Sequence, residues 1–125
     1  IRIKKEIILM ISDDVIKKVI KFRDDRDWRQ FHNGKDLAIS LNLEASELLE
    51  IFQWSGADLS VPEKIEAMKE ELADIMMYTI LFADRYNIDL NEALEKKLEK
   101  NNNKYPVSAA KGKKDKYTEL KDVKK

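Results

Sequence analysis

Four acidic residues fall into two matched pairs. Glu44-Ala-Ser-Glu47 and Glu71-Leu-Ala-Asp74 each set carboxylates three residues apart. On a helix, positions i and i+3 project from one face about one turn apart, so pairs on consecutive helices can converge on a point between them. Carboxylate oxygens are hard ligands suited to Mg²⁺, which keeps several waters and is usually shared between protein carboxylates and substrate phosphates. Four carboxylates could hold one or two such ions, whose positive charge would offset that of a triphosphate and draw it in. One of them could also orient or deprotonate a water for in-line attack on phosphorus. The chemistry suggested is metal-assisted hydrolysis of a nucleotide phosphoanhydride. The competing reading is a set of solvated helix charges paired with lysines, since charged helices produce such spacings by chance.

The elements that must carry these pairs can be read from capping signals and apolar periodicity. Ser12 before Asp13 and Asp14 predicts a helix start, and Val15, Ile16, Val19, Ile20 and Phe22 give helix 1 its apolar stripe to near Asp25. Arg26–Asp36, with Trp28, Phe31, His32 and Gly34, reads as a ring-rich loop. Helix 2 is predicted from Asp36 to about Gln53, with Leu37, Leu41, Ala45, Leu48 and Phe52 as its stripe. At about 100° per residue, Glu44 falls between Leu37, Leu48 and Ile51 on the wheel, Glu47 borders that arc, and Glu50 points away. A carboxylate inside an apolar stripe is costly to bury unless it is paired or binds a metal.

Trp54–Val61 reads as a short loop, and Ser60-Val-Pro-Glu63 predicts a capping box that starts helix 3, which runs to about Tyr86. Leu72–Ala83 is apolar nearly all round, which predicts burial on most sides, partly by a second subunit. Glu71 is flanked by Tyr78 and Phe82 on the wheel and points inward; Asp74 lies beside Leu81, and Glu70 faces out. Asn87 can close helix 3. Asp89-Leu-Asn-Glu92 predicts a second capping box for helix 4, Leu90 to about Asn102, with Leu90, Ala93, Leu94 and Leu98 inward. Lys97 and Asn101 share one face. Lys104-Tyr-Pro106 ends the helix. The expected organisation is one helical domain over residues 1–107, its first eleven an N-terminal extension of open role, followed by a lysine-rich tail over 108–125.

Composition narrows the classes. At 125 residues, 43% hydrophobic and 38% charged, with three Gly and two Pro, the chain suits an all-α domain better than a sheet protein. Lysine plus arginine balance aspartate plus glutamate at 24 each, so no global field exists to hold a nucleic acid polymer. With no cysteine, disulfides and thiolate zinc sites are excluded. The apolar Ile7–Ile11 run is too short for a secretory or membrane segment, which makes a cytoplasmic protein the expectation.

Beyond the four acids, Arg26-Asp-Trp28-x-Gln-Phe-His32, Phe52-Gln-Trp54, Tyr78, Lys104-Tyr-Pro-Val107 and Lys116-Tyr-Thr-Glu-Leu120 stand in a familiar order. Together with E-x-x-E…E-x-x-D, this pattern resembles the MazG-like nucleotide pyrophosphohydrolases, and within them the single-domain dCTP pyrophosphatase branch. The resemblance runs from about Phe22 to Leu120. It implies a four-helix bundle completed as a homodimer or dimer of dimers, and Mg²⁺-dependent cleavage of a nucleoside triphosphate, such as dCTP or a modified dCTP, to monophosphate and pyrophosphate. It further implies that Glu44, Glu47, Glu71 and Asp74 are metal ligands and water activators. Trp28, Trp54 and Tyr78 would line the nucleotide pocket, and Lys97 and Asn101 would reach phosphate or base. The chain departs from the family at Leu43 and Ser46, where glycine often precedes each acid of the first pair.

Each of these residues also has a structural reading. The rings could be core or interface residues, Lys97 an exposed helix lysine, Asn101 a helix cap, and His32 a loop histidine bonded to backbone. Two other functions compete with hydrolysis. A di-iron carboxylate bundle needs Glu-x-x-His pairs on helices, and His32 is not so placed. A non-catalytic helical interaction module would use the apolar half of helix 3 as its partner surface. Within the pyrophosphohydrolase reading, dUTP and phosphoribosyl-ATP are the alternative substrates.

Overall fold

The computed structural model describes residues 11–119 and is all-helical, with no strand among them. Residues 1–10 of the expected N-terminal extension over 1–11, and the end of the tail from Leu120 onward, lie outside the described residues. The described residues fall into two compact units, divided along the chain between Asn87 and Ile88.

In the first unit, α1 spans Asp13–Asp25 as expected, and the Ser12 hydroxyl oxygen accepts the Val15 N–H at 3.3 Å. The loop that follows is more ordered than its composition suggests. Arg29–Phe31 form a 3-10 turn, and Asn33 rather than Asp36 starts the next helix by accepting the Asp36 N–H at 2.9 Å. Helix α2 therefore spans Gly34–Glu50, two residues earlier than predicted, and gives way to turns before Gln53. A Cβ at Gly34 would meet the hydroxyl end of the Tyr86 ring, so a larger residue there would require that side chain to shift.

The predicted Ser60 capping box does not form. Asp58 takes its place, with Oδ1 accepting the Ser60 and Val61 N–H groups at 3.1 and 3.0 Å. Those two bonds hold the Asp58 carboxyl below its ordinary range, Val61 N–H contributing most. Val61 adopts a left-handed conformation (φ 42°) while its side chain is 2% exposed, an arrangement a β-branched residue accepts only when packing and the turn over-determine it. Pro62–Lys64 then make one 3-10 turn before α3, Ile65–Arg85. Asn87 closes α3 in the left-handed region, as its residue type predicts.

Helices α2 and α3 pack along one another, and α1 lies more lightly against α3. The buried apolar residues of this unit are Leu37 from α2, Val61 from the loop, and Ile80, Leu81 and Ala83 from α3. The apolar half of α3 is deeply buried only at that end. Ile75–Thr79 are half-buried and Leu72 is 55% exposed.

In the second unit, Asp89 caps α4 by accepting the Glu92 N–H at 3.1 Å, and α4 spans Leu90–Lys104, two residues beyond the predicted end. The inward placement of its leucines is corrected: Leu90 is half-buried, but Leu94 and Leu98 are 53% and 59% exposed. A single-turn helix α5, Val107–Ala110, follows Pro106, with Ala109 buried, and Tyr117–Glu119 form a 3-10 turn.

Candidate metal and nucleotide site

The packing of α2 against α3 carries the two acidic pairs to one place. One carboxylate oxygen from each of Glu44, Glu47, Glu71 and Asp74 lies within 4.8 Å of every other. Glu44, Glu71 and Asp74 are half-buried and Glu47 is exposed, following the wheel positions of the four, while Glu50 and Glu70 face solvent. Among the described residues no lysine or arginine pairs with any of the four, so the solvated ion-pair alternative does not describe them.

The electrostatics of the cluster are unfavourable as it stands. Burial, and then proton sharing with and repulsion from Glu47, push the Glu44 carboxyl up to about 7, with Asp74 and Glu71 adding to the repulsion. The Glu71 carboxyl is raised too, first by the shared hydrogen bond with Glu47 and then by burial. Glu44 Oε2 and Glu71 Oε2 are both buried without any hydrogen-bond partner. Acceptors in that state need a donor or a cation. A set made only of carboxylate oxygens, two of them buried and unpartnered, fits a hard divalent ion that retains water ligands. The same set lacks the His or Cys donors that Zn²⁺ sites favour.

The expected pocket residues are distributed as follows. Trp28 is 43% exposed, with Phe22 edge-on to it at 5.8 Å between ring centroids. The Arg26 guanidinium lies 3.7 Å over the Phe22 ring and 5.8 Å from the Trp28 ring. Trp54 stands in the left-handed region (φ 64°) and is 93% exposed, on the rim of a cavity of about 320 Å³ that Glu50, Gln53, Asp58 and Lys64 also line. Tyr78 is half-buried on α3. Lys97, exposed, and Asn101, half-buried, belong to α4 in the second unit. His32 sits at the end of the 3-10 turn with Nδ1 buried and unpartnered; burial, and then the positive charge of Arg23, lower its pKa. The backbone-bonded ring expected for it is therefore not formed at Nδ1.

Sequence reasoning missed Arg23. It is 2% exposed and donates through Nη1 to Asp84 Oδ2 at 2.6 Å and through Nε to Asp24 Oδ1 at 2.9 Å. The signal was present, because Arg23 stands three, four and seven residues after Ile20, Val19 and Ile16, on the apolar face of α1.

Two i, i+3 acidic pairs gathered across one helix–helix contact place this chain in the class of all-α proteins with a carboxylate cluster that could hold a metal ion. Comparison with known proteins makes this specific: the MazG-like family matches residues 39–120, and the chain belongs to that family. Over 113 residues it is 35% identical to dCTP pyrophosphatase 1 of Mus musculus and 36% identical to that of Bos taurus, 86% of this chain being covered in each case. The chain spans about two thirds of the length of these relatives, 66% and 67%. A crystal structure of a pyrophosphatase from Archaeoglobus fulgidus is also similar, with a TM-score of 0.70 and 38% sequence identity over 75% of this chain and 91% of that one.

Proposed function

We propose that this protein hydrolyses nucleoside triphosphates between the α and β phosphates, yielding a monophosphate and pyrophosphate, with Mg²⁺ held by Glu44, Glu47, Glu71 and Asp74. The observation that carries the reading is the quartet itself, four carboxylates within 4.8 Å with two buried oxygens that nothing else satisfies. The dCTP pyrophosphatase 1 relatives support deoxycytidine triphosphate, or a base-modified form of it, as substrate.

When bound, Mg²⁺ supplies positive charge that offsets the triphosphate and the carboxylates alike. The remaining work belongs to the side chains. An ionised carboxylate of the quartet accepts a proton from the attacking water as its oxygen adds to the α phosphorus, and the bond to the α–β bridging oxygen breaks with that oxygen leaving on pyrophosphate. Glu47, the exposed member, is best placed to meet solvent water. Trp28, Trp54 and Tyr78 hold the base and sugar by stacking. Lys97 and Asn101 are further substrate contacts implied by the family pattern. The exposed apolar side chains of α2 and α3, Leu43, Leu49 and Leu72 among them, support assembly as a homodimer or dimer of dimers.

The test is pyrophosphate release from dCTP, 5-methyl-dCTP, dUTP and dATP with Mg²⁺. Glu44→Gln and Asp74→Asn are expected to lower turnover by on the order of 10²-fold or more. Undiminished activity in both variants would remove the quartet from the reaction. A non-catalytic module would show no hydrolysis and no rise in thermal stability with Mg²⁺ or nucleotide.

A further inference from the structure

The Arg23–Asp84 pair joins α1 to the last turns of α3, the helix that also carries Glu71 and Asp74. Arg23 is placed to govern more than this one contact. Its carbonyl oxygen accepts the N–H groups of both Arg26 and Trp28, each at 3.2 Å, so Trp28 is bonded directly to the residue that makes the clasp. Around that bond the segment is tightly specified. Arg26 Nη1 donates to the Phe22 carbonyl at 2.9 Å while its guanidinium covers the Phe22 ring, and Phe22 in turn meets Trp28 edge-on. Gln30 Nε2 donates to the Asp27 carbonyl and carboxylate at 3.0 and 2.9 Å, supporting Asp27 in the left-handed region at φ 54°. On the far side of the loop, the Tyr86 hydroxyl occupies the space left by the missing Gly34 side chain, and the Tyr86 ring packs on Phe82 at 5.0 Å. The ring-bearing segment is thus fastened to the C-terminal turns of α3 before and after Trp28. An exposed aromatic on an otherwise loose loop would lose its orientation without such fastening.

We propose that Arg23 and Asp84 are positioning residues for substrate binding: their ion pair fixes Trp28 relative to the α3 carboxylates and thereby sets affinity for the nucleobase, without touching the substrate. This rests on the reading above that Trp28 contacts the base. A purely structural ion pair would change stability and leave KM alone. Loss of a positioning pair raises KM, and does so only when Trp28 is present.

The experiment is a double-mutant cycle read in dCTP hydrolysis at saturating Mg²⁺. Asp84→Asn and Arg23→Met are each expected to raise KM about 5- to 10-fold with kcat within about two-fold, the pattern of lost uniform binding, and Arg23→Lys to recover part of the loss. In a Trp28→Ala background the same changes are expected to add less than two-fold to KM. Because Arg23→Met leaves Asp84 unpaired and could unfold, the paired replacement Arg23→Met/Asp84→Leu is measured alongside, since an apolar pair of similar volume is tolerated where a lone buried charge is not. It is expected to keep the fold and to retain the KM defect. If Trp28→Ala raises KM but the Arg23 and Asp84 variants do not, or if their effects add fully to that of Trp28→Ala, the positioning role is overturned while the base-binding role of Trp28 stands. If Trp28→Ala itself leaves KM unchanged, the base-binding role fails first and takes the positioning role with it.

Discussion

Glu44 is the residue on which the electrostatics of the site turn. Its carboxyl is pushed up to about 7, so the folded protein binds its proton more tightly than the unfolded chain does. A group shifted in that direction contributes stability at pH values below its unfolded pKa, and the contribution is lost as pH rises through the folded one. The Glu44 contribution to the thermal stability of the metal-free protein, read as the difference from Glu44→Gln, is therefore expected to fall between about pH 4.5, an ordinary glutamate pKa, and about pH 7, while the lowered His32 pKa acts in the opposite direction. Glu71 is raised in the same direction and extends the trend. Mg²⁺ competes with those protons, so saturating metal is expected to flatten or reverse the slope, with protons released on binding. Glu44→Gln removes most of the slope. Melting temperatures across a pH series, with Mg²⁺ and with EDTA, check each part. A metal-free Tm advantage over Glu44→Gln that grows with pH across this range would contradict it.

At the scale of elements, the site depends on the packing of α2 against α3, and Leu37 is the most deeply buried side chain of α2. Leu37 is 1% exposed, and Leu37→Ala is expected to cost about 2–5 kcal/mol of stability in chemical denaturation. The cap at Asn33 is worth less, with Asn33→Ala costing about 1 kcal/mol. The two acidic helices, and the inward turn of Glu44 and Glu71, were legible because spacing and apolar arc depend only on local periodicity. What the sequence did not reveal came from competition between near-equivalent local signals or from contacts distant along the chain. Asn33 and Asp36 both resemble a helix start, and Asn33 prevails because its side chain reaches the Asp36 N–H. Ser60-Val-Pro-Glu63 carries a capping pattern, but the Asp58 carboxylate takes the Ser60 N–H that the Glu63 side chain would have accepted, along with the Val61 N–H. Arg23 finds its partner 61 residues away, beyond any periodicity argument. The four acids were visible as a pattern, whereas the close approach of all their oxygens needed the packed helices.

At the scale of the whole molecule, apolar surface outruns what one chain buries. Leu49, Leu59 and Trp54 are 70%, 88% and 93% exposed, and Leu43 and Leu72 more than half exposed, against few fully buried apolar side chains among the described residues. Light scattering is expected to give a mass at least twice that of the chain, with a melting temperature that rises with protein concentration; a concentration-independent monomer would contradict assembly. No helix among the described residues is long and apolar enough to cross a membrane. The central claim is that the carboxylate quartet serves cleavage of the α–β phosphoanhydride, and phosphorus NMR of dCTP with Mg²⁺ and the protein tests it most directly. The predicted result is growth of dCMP and pyrophosphate signals together, abolished by EDTA and strongly slowed in Glu44→Gln and Asp74→Asn. Release of orthophosphate with dCDP, or pyrophosphate formation that those substitutions leave intact, would contradict it.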